Sequence, residues 1–123
     1  MVAIRLASFE DVRMARSWVG DLAQAAGIHD PGAAVMAAGE LGNNCVEHGN
    51  EAPALLWVGC GRGRLSLRFE NQCVQQPEWC TRKPLAIAEF HTGGYGLQIA
   101  RALARSINCC WAAGRVTVRA EFD

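Results

Sequence analysis

The apolar residues of this chain change period near residue 50, and that change limits the kind of layer each half can build. Val12, Ala15, Val19, Leu22 and Ala26 recur at spacings of three and four, which marks one face of a helix, and Gly27 suits its end. Ahead of that helix, Ser8 and Asp11 resemble a capping arrangement, and VAIRLA at residues 2–7 alternates weakly as a first strand. A second helix is expected from about Pro31 to His48: Asp30 can accept from orphan N–H groups, Pro31 fits the first helical position, and Gly49 and Asn50 are stop signals. Beyond it the period becomes two. ALLWVGC at 54–60 and RLSLRFE at 64–70 read as strands joined by the turn GRG, and INCCWAA and RVTVRAEF read as two closing strands around Gly114.

Between these strand pairs lies QCVQQPEWCTRKPLAIAEFHT, residues 72–92, with two prolines and no sustained period. Connections of this length are usually functional or disordered. It is followed by GGYGLQIARALARS, which starts with glycines and turns helical. The resulting order, β-α-α-β-β-loop-α-β-β, predicts a single domain over residues 1–123. Its architecture is a two-layer α/β sandwich, in which about three helices cover one face of a mixed, mainly antiparallel sheet and the other face is less constrained.

At 123 residues and 50% apolar composition the chain can bury one core. Twelve basic residues offset twelve acidic ones, so no bulk field favours nucleic acid or an anionic membrane, and recognition must come from a local site. No apolar run approaches the roughly 20 residues that span a bilayer, and MVAIRLASFED lacks a signal-peptide pattern, so a cytoplasmic location is expected. Cys45, Cys60, Cys73, Cys80, Cys109 and Cys110 form no C-x-x-C pair, and reduced, mostly buried thiols are the expectation. A zinc site from Cys73, Cys80 and His91 matches no common ligand spacing, and a Cys–His nucleophile has no mark of a low-pKa thiolate. Trp18, Trp57, Trp79 and Trp111 are scattered over different elements; only Trp79, in the irregular connection, suggests a partner surface.

The second helix poses a problem of its own, because GELGNNCVEHGN places Asn43 and Asn44 in its interior. Each costs roughly half a kcal/mol against alanine, since its amide competes for backbone hydrogen bonds. Glu40, Asn44 and His48 are spaced by four and form a polar stripe, opposite the apolar Val35, Ala38, Leu41, Cys45 and Val46. Surface polarity with a C-terminal histidine is one reading; a carboxylate to orient a nucleophile beside an amide oxygen to ligate a hard cation such as Mg²⁺ is the other. Further on, Gly93, Gly94 and Gly96 precede a helix, where backbone N–H groups can approach a phosphate; no G-K-[ST] follows, so this is not a P-loop.

Taken in order, these residues carry a family resemblance. ELGNNCVEHG, Glu40 to Gly49, resembles the E-x-x-x-N-x-x-x-H-G N-box of the GHKL ATP-binding superfamily, which includes histidine kinase catalytic domains and gyrase-type ATPases. GGYGLQI at 93–99, after a short lid, is most similar to the anti-sigma-factor serine kinases of bacterial partner-switching systems. The resemblance implies a Bergerat-type fold that binds ATP and Mg²⁺ and phosphorylates a serine on an antagonist protein. By position it implies Glu40 as general base, Asn44 as Mg²⁺ ligand, Asn43 near the nucleotide, and His48 closing the N-box helix. Gly93, Gly94, Gly96 and Leu97 would lie at the phosphates and lid. Where the family carries D-x-G-x-G after its third strand, this chain has Asn71, Cys73 and Gln75 at the Asp and two glycine positions; an Asn carbonyl can still accept from an adenine amino group. The implied partners are an anti-anti-sigma-like antagonist and a sigma factor or other regulator, with a homodimer among the assemblies. Neither nucleic acid nor a membrane is implied. Two alternatives stay open: a non-catalytic protein-binding switch on the same fold, and a detached histidine kinase catalytic domain.

Overall fold

The computed structural model describes residues 2–48, 52–75, 85–86 and 95–123. In chain order the elements are β1 (Val2–Leu6), α1 (Phe9–Ala26), α2 (Pro31–His48), β2 (Ala54–Gly61), β3 (Arg64–Gln72), β4 (Leu85–Ala86), α3 (Tyr95–Leu103), β5 (Ser106–Ala112) and β6 (Arg115–Phe122). The strands form one sheet in the order β1-β2-β3-β6-β5-β4. Each of its pairings is antiparallel, so the sheet, expected to be mixed but mainly antiparallel, is antiparallel throughout the described strands. The two-residue β4, which lies within the connection expected to be irregular, adds an edge strand beside β5.

Local chemistry sets the helix ends. Ser8 is extended and its hydroxyl accepts from Asp11 N–H, while Asp11 Oδ2 accepts from Ala7 N–H at 2.8 Å, so orphan donors are satisfied on both sides of the start of α1. At the other end Gly27 takes a left-handed φ of 72°, and its N–H and that of Ile28 reach back to Gln24 and Ala23 carbonyls. Asp30 caps α2 through Oδ1, which accepts from Ala33 N–H at 3.1 Å.

Register then separates the two faces of the sheet. Leu56, Phe69, Val118 and Cys109 lie side by side in one row, as do Val58, Leu67, Ala120 and Ile107 in the next, and all are buried. Over this face pack Val12, Ala15, Val19 and Ala23 of α1 and Ala34, Ala37, Ala38, Leu41 and Cys45 of α2. Full burial of side chains such as Phe69 and Leu67 contributes roughly 1.5–3 kcal/mol each. α3 rests on α2 and on β5. On the opposite face no described helix packs.

Close contact between α1 and α2 depends on glycine. A Cβ on Gly42 would sit 2.9 Å from Val12 Cγ1, and one on Gly20 would sit 3.2 Å from Val35 Cγ2. A Cβ on Gly39 would sit 3.0 Å from Arg16 Cδ, but this neighbour is an exposed, flexible side chain that can move aside. Of the helix-weakening residues of GELGNNCVEHGN, Gly42 is therefore explained by packing alone.

Candidate functional site

α2 turns its small and apolar residues to α1 and the sheet, which leaves Glu40, Asn43 and Asn44 on its other side, each half-buried. Val35 and Val46, expected in the core face, are half-buried at its margins, while Ala34 and Ala37 lie fully inside it. No hydrogen bond among the described residues engages the side chains of Glu40, Asn43 or Asn44, so their oxygens remain available to a ligand.

The end of β3 meets this helix. Asn71 lies on the inner side of the sheet, opposite Val116, and its Nδ2 donates to the carbonyl oxygen of Cys45 at 3.2 Å. Cys45 belongs to the last turn of α2, where carbonyls have no partner within the helix. Asn71 thus satisfies one of these orphans, and its own Oδ1 keeps its acceptor capacity. Residues 26 apart in sequence, Cys45 of α2 and Asn71 of β3, are joined by this contact.

The segment after Asn71 is anchored as well. Cys73 N–H donates to Gly114 O at 2.7 Å, and Trp111 Nε1 donates to Cys73 O at 2.9 Å. Cys73 Sγ donates to Gln75 O at 2.9 Å. Among the described residues the left-handed region is occupied, apart from glycines, by Ala113 alone, so Cys73 and Gln75 follow a path that does not require glycine. Strand β5 ends one residue earlier than expected because Ala113, with φ 54°, and Gly114, with φ 72°, form the two-residue turn into β6.

Of the remaining expected site residues, Gly96 and Leu97 lie in the first turn of α3, a helix that packs on α2. His48 ends α2 as expected. Gly93 and Gly94 lie outside the described residues, as do Trp79, Cys80 and His91. Burial pushes the Cys45 thiol up to about 12, opposite to what a nucleophilic thiolate needs. Among the described residues no cluster of three or more His, Cys, Asp or Glu side chains is placed to hold a metal ion. No described helix is long and apolar enough to cross a membrane.

A model of the family described as Histidine kinase-like ATPase domain matches residues 6–122. The chain belongs to that family. Placement among histidine kinase-like ATPase domains supports ATP binding by this chain and agrees with the α/β sandwich found here. No curated protein matches the sequence. Two features of the site escaped sequence reasoning: the Asn71–Cys45 hydrogen bond and the glycine-mediated approach of α1. The second had a signal, since Gly42 sits mid-helix, where glycine weakens the helix and close contact favours it.

Proposed function

We propose that this chain binds Mg²⁺-ATP beside α2 and phosphorylates a serine of a small antagonist protein, as the anti-sigma-factor serine kinases do. What supports the reading is the hydrogen bond that joins Asn71 to α2, the helix that carries Glu40, Asn43 and Asn44, in a chain of the histidine kinase-like ATPase family.

The donor set fits the ligand. Asn44 offers a neutral amide oxygen, appropriate to Mg²⁺, which keeps most of its ligands from water and phosphate rather than from a protein cage. Asn71, with Nδ2 committed to Cys45, presents an acceptor suited to an adenine amino group. ATP, when bound, supplies the transferable phosphoryl group. Glu40 orients the serine hydroxyl and takes its proton, and Asn43 lies at the nucleotide beside Asn44. Positioning and charge neutralisation supply most of the catalysis in such transfers. The partners of this reading are a serine-bearing antagonist and a sigma factor or another regulator, acting in the cytoplasm, with the kinase as a monomer or homodimer.

Glu40→Gln is the deciding variant: it abolishes transfer to a serine protein substrate and leaves nucleotide binding largely intact. Equal loss of both would overturn the assignment of Glu40 as the base. A second reading, a non-catalytic protein-binding switch, is favoured by one observation, the anchoring of Cys73 through both its N–H and its carbonyl to the β5–β6 end of the sheet. It predicts weak nucleotide binding and partner binding that survives Glu40→Gln.

A further inference from the structure

The uncovered face of the sheet is chemically unlike the rest of the molecule. Although the chain is neutral overall, the register places Arg5, Arg64, Arg68, Arg115 and Arg119 on this face against only Glu70 and Glu121. Both carboxylates are already engaged: Glu70 accepts from Arg115 Nη1 at 3.1 Å and pairs with Arg68 Nε at 3.3 Å, and Glu121 accepts from Ser66 Oγ at 3.2 Å. No carboxylate among the described residues pairs with Arg119, Arg5 or Arg64.

At the centre of this face the arrangement is unfavourable by itself. Arg68 on β3 and Arg119 on β6 are direct cross-strand partners with side chains on the same side, and like charges in that relation destabilise a sheet. Arg68 is held in place from the other flank by Trp57, with its guanidinium carbon 5.3 Å from the ring centroid. These residues line an open depression of about 760 Å³. We propose that this face docks an acidic segment of a partner protein, whose carboxylates bridge Arg68 and Arg119.

The form of the surface favours such an occupant over others. The outer-face arginines of β6 extend from Arg115 to Arg119, about 13 Å at roughly 3.3 Å per residue, so a chain of carboxylates reaches more of this face than one small anion does, and the depression is open rather than enclosed. Trp57 is the sole aromatic residue on the described outer face and Arg68 lies over its ring, so no stacking platform for nucleotide bases exists there. The inference does not depend on nucleotide binding, which belongs to the helical side.

Titration of the isotope-labelled protein with poly-L-glutamate, and separately with oligo-dT, tests it by amide and indole chemical shifts. Expected are shifts at β3, β6 and the Trp57 indole with poly-L-glutamate, weakened about tenfold in Arg119→Glu, the equivalent of one charge-assisted contact. Arg119→Glu removes a like-charge pair and therefore keeps or raises the melting temperature, and its response to Mg²⁺-ATP is that of the unaltered chain. Tighter binding of oligo-dT would overturn the proposal in favour of nucleic acid. A concentration-dependent dimer abolished by Arg119→Glu would overturn it in favour of self-association, and absence of any shift with poly-L-glutamate would overturn it outright.

Discussion

Asn71 Nδ2 and Cys45 O, 3.2 Å apart, fasten the end of β3 to the last turn of the N-box helix. Asn71 is here a donor, which an ionised carboxylate cannot be. Asn71→Asp therefore sets an acceptor against a carbonyl oxygen near the negative end of the helix dipole, and destabilises by about 1–3 kcal/mol. Asn71→Ala loses only the hydrogen bond, about 1 kcal/mol. Urea unfolding of both variants checks the order; a more stable Asp variant would show that the Cys45 contact is not what fixes this position.

Gly39 and Gly42 separate two effects of one substitution. At Gly42 an added methyl meets the branched, buried Val12 at 2.9 Å, so Gly42→Ala overpacks the α1–α2 contact by about 1–3 kcal/mol, against a gain of about 1 in helix propensity. At Gly39 the neighbour is the flexible, exposed Arg16, which can move away. Gly39→Ala is consequently neutral or stabilising by up to about 1 kcal/mol. Thermal melts of the two variants should diverge in this direction.

How far the sequence reveals this arrangement varies with the kind of interaction. The long elements are legible because each repeats one period many times, and the caps at Ser8, Gly27 and Asp30 are where the residue types put them. A two-residue strand such as Leu85–Ala86 contains no period, so it is visible only in its pairing with Cys109 and Asn108. Ala113 reads as strand because alanine carries no turn signal, yet Gly114 next to it draws both into a turn of positive φ. The N-box is legible as a string. Its contact with Asn71 is not, because a side chain that reaches a backbone carbonyl leaves no pattern at either position.

Ala113 supplies a test of that turn. Left-handed backbone costs a non-glycine residue roughly 1–2 kcal/mol, and Asn-Gly is the preferred pair for a two-residue turn of this kind. Ala113→Asn is expected to stabilise the protein by about 0.5–1 kcal/mol, raising the melting temperature by a few degrees in scanning calorimetry.

Cys45 gives the protein a pH dependence of definite sign. Its thiol titrates near 9.0 when exposed and near 12 when folded, because burial penalises the thiolate. The folded state holds the proton more tightly, so this contribution is complete below pH 9 and is lost as pH rises from there toward 12. Cys45→Ala should flatten that alkaline decline, at the expense of stability near neutrality. Under native conditions iodoacetamide should modify the exposed Cys60 and spare Cys45 until the protein unfolds.

Nucleotide binding itself is tested most directly through stability. Ligand at about 100 times its dissociation constant adds about 2.7 kcal/mol, which for a domain of this size raises the midpoint by on the order of 10 °C. Mg²⁺-ATP is expected to produce such a shift in the unaltered chain, and Asn44→Ala to remove most of it, since its amide oxygen is the cation ligand in the proposed site. Asn44 makes no hydrogen bond among the described residues and alanine is the better helix former, so the variant's ligand-free midpoint is kept or slightly raised, and loss of the ligand-induced shift reports on binding rather than folding. No shift in the unaltered chain would mean that the segment from Asn71 to Gln75, tied down by Trp111 and Gly114, does not admit the nucleotide. The protein-binding switch would then be the better account of why the N-box is there.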